Sequence, residues 1–163
     1  MAPLLTDLDS IRFAIELEAR GAQFYLEAAR RMENEDQRNL VLLLSGQTNN
    51  HLEGVKKILA TVQTQKNGSA PEALDAETAA IIQKIGTSLS FPAEAQAAQK
   101  VAACTSVSSI LEIALQGEKE SVQLYEQIAN STKNDEVRKI FTALQSEEQI
   151  HVQKLLEMLQ GWA

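Results

Sequence analysis

With 163 residues the chain has the length for one domain around one core, and only 7 Gly and 3 Pro among abundant Ala, Leu, Glu, Gln and Lys suit it to helix throughout. A net charge of −7 argues against nucleic acid or an anionic membrane as partner, no apolar run is long enough for a bilayer span, and the opening Met1–Asp7 lacks the basic and apolar parts of a signal peptide. The single cysteine, Cys104, excludes an internal disulfide, a Cys-x-x-Cys pair, a zinc ribbon and c-type haem attachment; it reads as a small packed helix residue, and the whole composition fits the cytoplasm.

The first expected element is a helix capped by Thr6 or Asp9. Its stripe of Leu8, Ile11, Ile15, Glu18, Ala22, Tyr25, Ala29 and Met32 is spaced alternately three and four. A second helix follows a tight turn, with Asn34 as N-cap and Gln37 completing a capping box; its stripe runs Val41, Leu44, Thr48, His51, Val55, Ile58, Val62. Residues 63–105 then read as a crossover. It opens on the loop signal Asn67-Gly68-Ser69-Ala70-Pro71, and carries one short helix from Asp75 to Lys84, stopped at Gly86, and another from Pro92 to Ala103 with Pro92 in its first turn. A third long helix, capped by Thr105 or Ser106, shows Leu111, Leu115, Glu118, Val122, Tyr125 and Ala129. A fourth, capped by Asn134, shows Val137, Phe141, Leu144, Glu148, His151, Leu155, Met158 and Trp162. Three-four spacing keeps one face of each helix toward its neighbours, so the expected fold is an all-α antiparallel four-helix bundle in one domain, residues 1–163. Its parts are a hairpin over about 7–62, a crossover over about 63–105 and a second hairpin over about 106–162.

The two hairpins repeat each other at an offset of 100 without a gap. Ala14, Glu18, Gln23, Tyr25, Asn34, Arg38, Leu44 and His51 recur as Ala114, Glu118, Gln123, Tyr125, Asn134, Arg138, Leu144 and His151. A shared heptad would reproduce the apolar matches alone. It would not place the chain's two histidines at one offset.

Glu18, Glu118, Glu148, His51 and His151 stand on stripes that are otherwise apolar, whereas Glu16, Glu27, Glu53, Glu120, Glu126 and Glu157 fall off them and read as solvated. In an antiparallel hairpin turning near residue 34 or 35, residues at one level have numbers summing to about 69. That sets Glu18 opposite His51 and, in the second hairpin, Glu118 opposite His151. Glu148 lies one turn before His151 on the same face. Buried carboxylates must take protons or find cations, and no Lys or Arg occupies a stripe. A divalent metal answers that need, and carboxylate with neutral imidazole suits iron, manganese or zinc. A protonated or water-bridged polar cluster is the alternative; two matched Glu–His pairs plus Glu148 favour the metal. Tyr25 and Tyr125, two turns from Glu18 and Glu118, read either as hydroxyls near such a centre or as aromatic core. Gly21, Gly46, Gly54 and Gly117 lie inside helices at a cost, Gly21 opposite Thr48, which allows close helix approach or room for a ligand.

At these residues the chain resembles the ferritin-like superfamily, and its rubrerythrin branch most. That family carries Glu on the first helix, Glu-x-x-His on the second, Glu on the third and Glu-x-x-His on the fourth around a di-iron centre. Glu18 and Glu118, each followed seven residues on by Tyr, and Glu148-Gln149-Ile150-His151 match; the second-helix motif reads Thr48-Asn49-Asn50-His51, with Thr48 in place of Glu. The resemblance implies one or two iron ions (zinc or manganese also suit the site), held by Glu18 and His51 on one side and Glu118 and His151 on the other, with Glu148 bridging and Tyr25, Tyr125 and Thr48 beside them. It implies peroxide reduction or ferroxidase chemistry and a homodimer. Lacking Cys-x-x-Cys pairs, the chain is expected to need a separate electron donor. The missing fourth carboxylate favours a second reading, metal binding or storage without turnover. A third is a helical scaffold with a degenerate site. Two histidines are too few for a haemerythrin-type oxygen carrier, and a DNA-protecting ferritin relative would carry a basic tail.

Overall fold

The computed structural model describes residues 5–162; Met1–Leu4 of the opening segment and the side chain of Trp162 lie outside the described part. Six helices take up most of it: α1 Asp7–Arg31, α2 Glu35–Lys66, α3 Ala76–Gly86, α4 Ala97–Ala102, α5 Val107–Ser131 and α6 Asp135–Trp162. The four long ones are α1, α2, α5 and α6, as the stripes require.

Their ends follow local chemistry. Thr6 caps α1 in a full capping box with Asp9, and Ser106 caps α5 with Ser109. Asn34 accepts from the Gln37 amide at 3.0 Å, but among the described residues the return bond from the Gln37 side chain is not made, so the capping box expected there is half of one. Arg38 finishes that turn instead, donating to the Met32 carbonyl at 2.9 Å and the Glu33 carbonyl at 3.4 Å. Arg138 does the same at the second turn, donating to the Thr132 carbonyl at 2.6 Å. α2 ends on Asn67 in the left-handed region, φ 47°, followed by Gly68 at φ 84°.

The crossover departs from expectation at its second helix. Pro92 precedes that helix rather than opening it: a single 3-10 turn at Glu94–Gln96 leads into α4. The backbone from Ser88 to Phe91 is held outside helical geometry by contacts to α1 and α5. Glu120, expected to be solvated, is 8% exposed and accepts from both the amide and the hydroxyl of Ser90, at 2.9 and 3.1 Å. Arg20 donates to the Phe91 carbonyl at 3.3 Å. At the start of the crossover, Leu74 N–H donates to Leu5 and Asp7 N–H to Glu72, tying residues 72–74 to the base of α1.

α1 packs along α2, α5 along α6, and α1 against α5, while α3 covers α5 and α4 covers α1. α2 and α6 are less closely packed at the backbone and meet through side chains, while the crossover helices pack on α1 and α5. The apolar interior falls into two clusters. One is built on Leu8, Ile11, Leu17, Val55 and Phe141, the other on Phe24, Met32, Leu44, Phe91 and Leu155. The polar stripe residues form a layer between them. No described helix is long and apolar enough to cross a membrane.

Candidate metal centre

The bundle brings Glu18, His51, Glu118, Glu148 and His151 into contact, every one of them buried. Glu148, 1% exposed, sits at the middle: its Oε1 lies 2.9 Å from His51 Nδ1 and its Oε2 3.1 Å from His151 Nδ1. Glu18 Oε1 lies 3.7 Å from His51 Nδ1, and Glu118 Oε1 3.4 Å from His151 Nδ1, the two same-level pairs expected from the hairpin sums. The imidazoles face each other in a stack with centroids 5.5 Å apart.

The remaining ring nitrogens point the other way, toward the cleft between α2 and α6. His51 Nε2 meets the carboxylate of Glu147, and His151 Nε2 meets Gln47 Oε1 at 2.9 Å. With Nδ1 turned inward as the metal-ligating nitrogen, a neutral imidazole carries its proton on Nε2, where the Glu147 carboxylate and the Gln47 amide oxygen can accept it. Neither Gln47 nor Glu147 stands out in the sequence, since both fall off the apolar stripes. Their shared offset of 100 was the available signal.

Both tyrosines belong to the centre, each reaching the glutamate of the other hairpin. Tyr25 Oη donates to Glu118 Oε1 at 2.6 Å, and Tyr125 Oη donates to Glu18 Oε1. Burial, then the adjacent Glu118 charge, pushes Tyr25 well above its ordinary value. Burial and the Glu18 charge do the same to Tyr125. Both therefore remain hydroxyl donors.

The carboxylates are strained electrostatically. Burial, followed by the charge of Glu148, raises Glu18 well above the usual carboxylate range. Burial and the charge of Glu118 raise Glu148 likewise. Burial also acts on Glu118, but bonds from Glu148, His151 and Tyr25 outweigh it and hold Glu118 below the usual range. Among the described residues the two imidazoles are the only basic side chains within 4.0 Å of these three carboxylates.

A divalent cation fits this donor set. Glu18, His51 and Glu148 each offer a ligand atom, all within 4.8 Å of one another, and so do Glu118, Glu148 and His151. The two groups share Glu148. Oxygen and imidazole donors of this kind suit iron, manganese or zinc.

Thr48 lies buried on the interior face of α2, but its hydroxyl donates back to the Leu44 carbonyl at 2.8 Å and offers nothing to the centre. Its surroundings are apolar. A Cβ added at Gly21 would lie 3.5 Å from the Thr48 methyl and 3.2 Å from the ring of Phe91. A Cβ at Gly117 would lie 2.4 Å from that ring. The bare backbone at Gly21 and Gly117 thus makes room for an aromatic ring, not for a ligand or a close helix crossing, while Gly46 and Gly54 face open space.

The profile of the rubrerythrin family matches residues 9–159. Among solved structures, the fold is similar to a Thermotoga maritima protein provisionally described as a ferritin-like diiron-carboxylate protein, at TM-score 0.72 and 23% identity over 98% of each chain. It is also similar to a hypothetical protein from Pyrococcus furiosus, at TM-score 0.66 and 15% identity over 97% of this chain and 92% of that one. No curated protein sequence matches.

Proposed function

The chain belongs to the rubrerythrin family, and from that premise we propose that it holds iron between Glu18, His51, Glu118, Glu148 and His151 and serves as a non-haem iron oxidoreductase toward peroxide or ferrous iron. The observation that carries this is the sharing of Glu148 by two three-ligand groups, which is the arrangement of a paired rather than a single ion. Iron bound there supplies one-electron exchange with a small oxidant.

The chain's own residues define what surrounds that exchange. Tyr25 and Tyr125 fix the rotamers of Glu118 and Glu18 and stay protonated at Oη, so each keeps a hydroxyl proton at the carboxylate it orients. Glu147 and Gln47 fix both imidazoles with Nδ1 inward. The apolar clusters on either side of the polar layer exclude water along the bundle axis. Access runs from the side, through a cleft of about 400 Å³ lined by Gln47, Asn50, His51, Glu147, Ile150, His151 and Lys154. That opening suits a molecule the size of peroxide or a hydrated ion.

Electrons come from a separate donor in this reading, since Cys104 is the sequence's one cysteine. A homodimer in the cytoplasm completes it. A second reading, metal binding without turnover, rests on Thr48, which leaves the centre with three buried carboxylates where the family pattern has four. Stopped-flow mixing of anaerobically iron-loaded protein with hydrogen peroxide separates the two. Oxidation of the bound iron over repeated cycles with a chemical reductant is expected. Iron that binds but does not cycle supports the second reading.

A further inference from the structure

The two halves of the centre match in their Glu–His pairs, Glu18 with His51 and Glu118 with His151, yet beyond Thr48 they differ again at the outer nitrogen of each histidine. His151 Nε2–H donates to a neutral amide oxygen, that of Gln47, and His51 Nε2–H donates to a carboxylate, that of Glu147. We propose that Glu147 is a positioning residue that returns, through His51, the negative charge missing at Thr48, and so makes the His51 side the tighter of the two metal positions. The proposal rests on the metal-binding reading of the same centre.

Three observations carry it. The first is charge count. Two divalent ions bring four positive charges, and Glu18, Glu118 and Glu148 bring three negative ones; Glu147 is the fourth carboxylate, one residue from Glu148 and in contact with a ligand imidazole. The second is what else Glu147 could be doing. Its side chain is 56% exposed, as an ordinary surface glutamate would be, but no Lys or Arg stands three or four residues away on α6 to draw it along its own helix. Those positions hold Ala143, Leu144, Ile150 and His151. The carboxylate instead crosses to α2. The third is the chemistry of the contact. A carboxylate accepting from the outer N–H of an imidazole raises the electron density at the inner nitrogen and fixes the ring plane, and loss of such a partner typically costs about 10- to 100-fold in metal affinity. An amide oxygen does the same more weakly, because it carries no net charge.

Positions 147 and 48 differ in their surroundings. Position 48 is buried and faces Gly21 beside the Phe91 ring, so a carboxylate there would depend on bound metal for its compensation. Position 147 sits at the cleft, where it stays hydrated in metal-free protein and still reaches His51.

Cobalt(II) is the test probe, because its visible absorption reports each bound ion. Metal-free wild type, Glu147→Gln, Gln47→Glu and the exchanged pair Glu147→Gln/Gln47→Glu are titrated, each also in a His51→Ala and a His151→Ala background. In wild type the tighter cobalt should vanish with His51→Ala and persist with His151→Ala. Glu147→Gln should weaken that tighter ion about tenfold or more while the melting temperature of metal-free protein stays near wild type. In the exchanged pair the tighter position should move to His151, which a merely structural role for Glu147 would not produce. If Glu147→Gln and the exchanged pair bind two cobalt ions with wild-type affinities, the role of Glu147 is overturned and the metal centre stands. If wild type itself binds no cobalt, the centre and the role of Glu147 fall together.

Discussion

At residue scale, Thr48 is the most informative position. It occupies the place of a carboxylate in the family pattern, yet its hydroxyl is spent on its own helix and its methyl faces Gly21 near Phe91. Thr48→Glu should lower the stability of metal-free protein by about 1–3 kcal/mol, because it buries an unpartnered polar group. The same substitution should enlarge the stabilisation gained on adding metal. Thermal melts with chelator and with anaerobic ferrous iron check both signs, and wild-type behaviour in both would mean that residue 48 does not face the centre. Glu148 gives the complementary test. Because it alone contacts both imidazoles, Glu148→Ala should lose more bound metal, by elemental analysis, than Glu18→Ala or Glu118→Ala. Equal losses would indicate two independent ions. The five buried residues were legible in the sequence because a charged or polar side chain on an apolar stripe contradicts burial unless something compensates it. Glu147 was not, since a half-exposed glutamate on a helix looks like any other until its partner on another helix is known. Glu120 was misread for the same reason: Ser90, its partner, is 30 residues away.

At the scale of elements, the long helices and their order were legible from periodicity, and hairpin sums placed Glu18 beside His51 and Glu118 beside His151. The path of the crossover was not, because residues 87–93 carry no period and their conformation is set by α1 and α5. Phe91 is the key contact there. Its ring packs 5.8 Å from Tyr25 and 5.5 Å from Phe24, over the bare backbone of Gly117. Gly117→Ala should therefore destabilise the fold by about 1–2 kcal/mol through overpacking, despite the better helix propensity of alanine. In a Phe91→Ala background the obstacle is gone, and Gly117→Ala should turn neutral or stabilising by up to about 1 kcal/mol. Denaturant unfolding of the four proteins measures the coupling, and additive effects would show that the ring does not lie against Gly117.

At the scale of the whole molecule, the centre ties stability to pH and metal. Glu18 and Glu148 are raised above the ordinary value of 4.5 in the folded, metal-free protein, so between that value and their folded values the native state holds protons that the unfolded chain has lost. Their stabilising contribution is complete below the ordinary range and is lost as pH rises through the raised values. Glu118 is lowered and works in the opposite sense, losing its contribution as pH falls below the ordinary range. From about pH 5 upward the first two dominate, so chelator-treated protein should melt at a lower temperature at about pH 8 than at about pH 5. Metal replaces those protons and binds better as they leave, so saturating metal should flatten or reverse the trend.

The most direct test of the centre is the melting temperature of chelator-treated wild type titrated anaerobically with ferrous iron, beside Glu148→Ala. Folding assembles the ligands, so metal binds the native state preferentially; at about 100 times the dissociation constant the gain is about 2.7 kcal/mol, a rise of several degrees for a chain of this size. Wild type should show that rise, saturating with iron, and Glu148→Ala should show little of it. A wild-type melt that iron, manganese and zinc all leave unmoved at excess metal would contradict the metal centre itself.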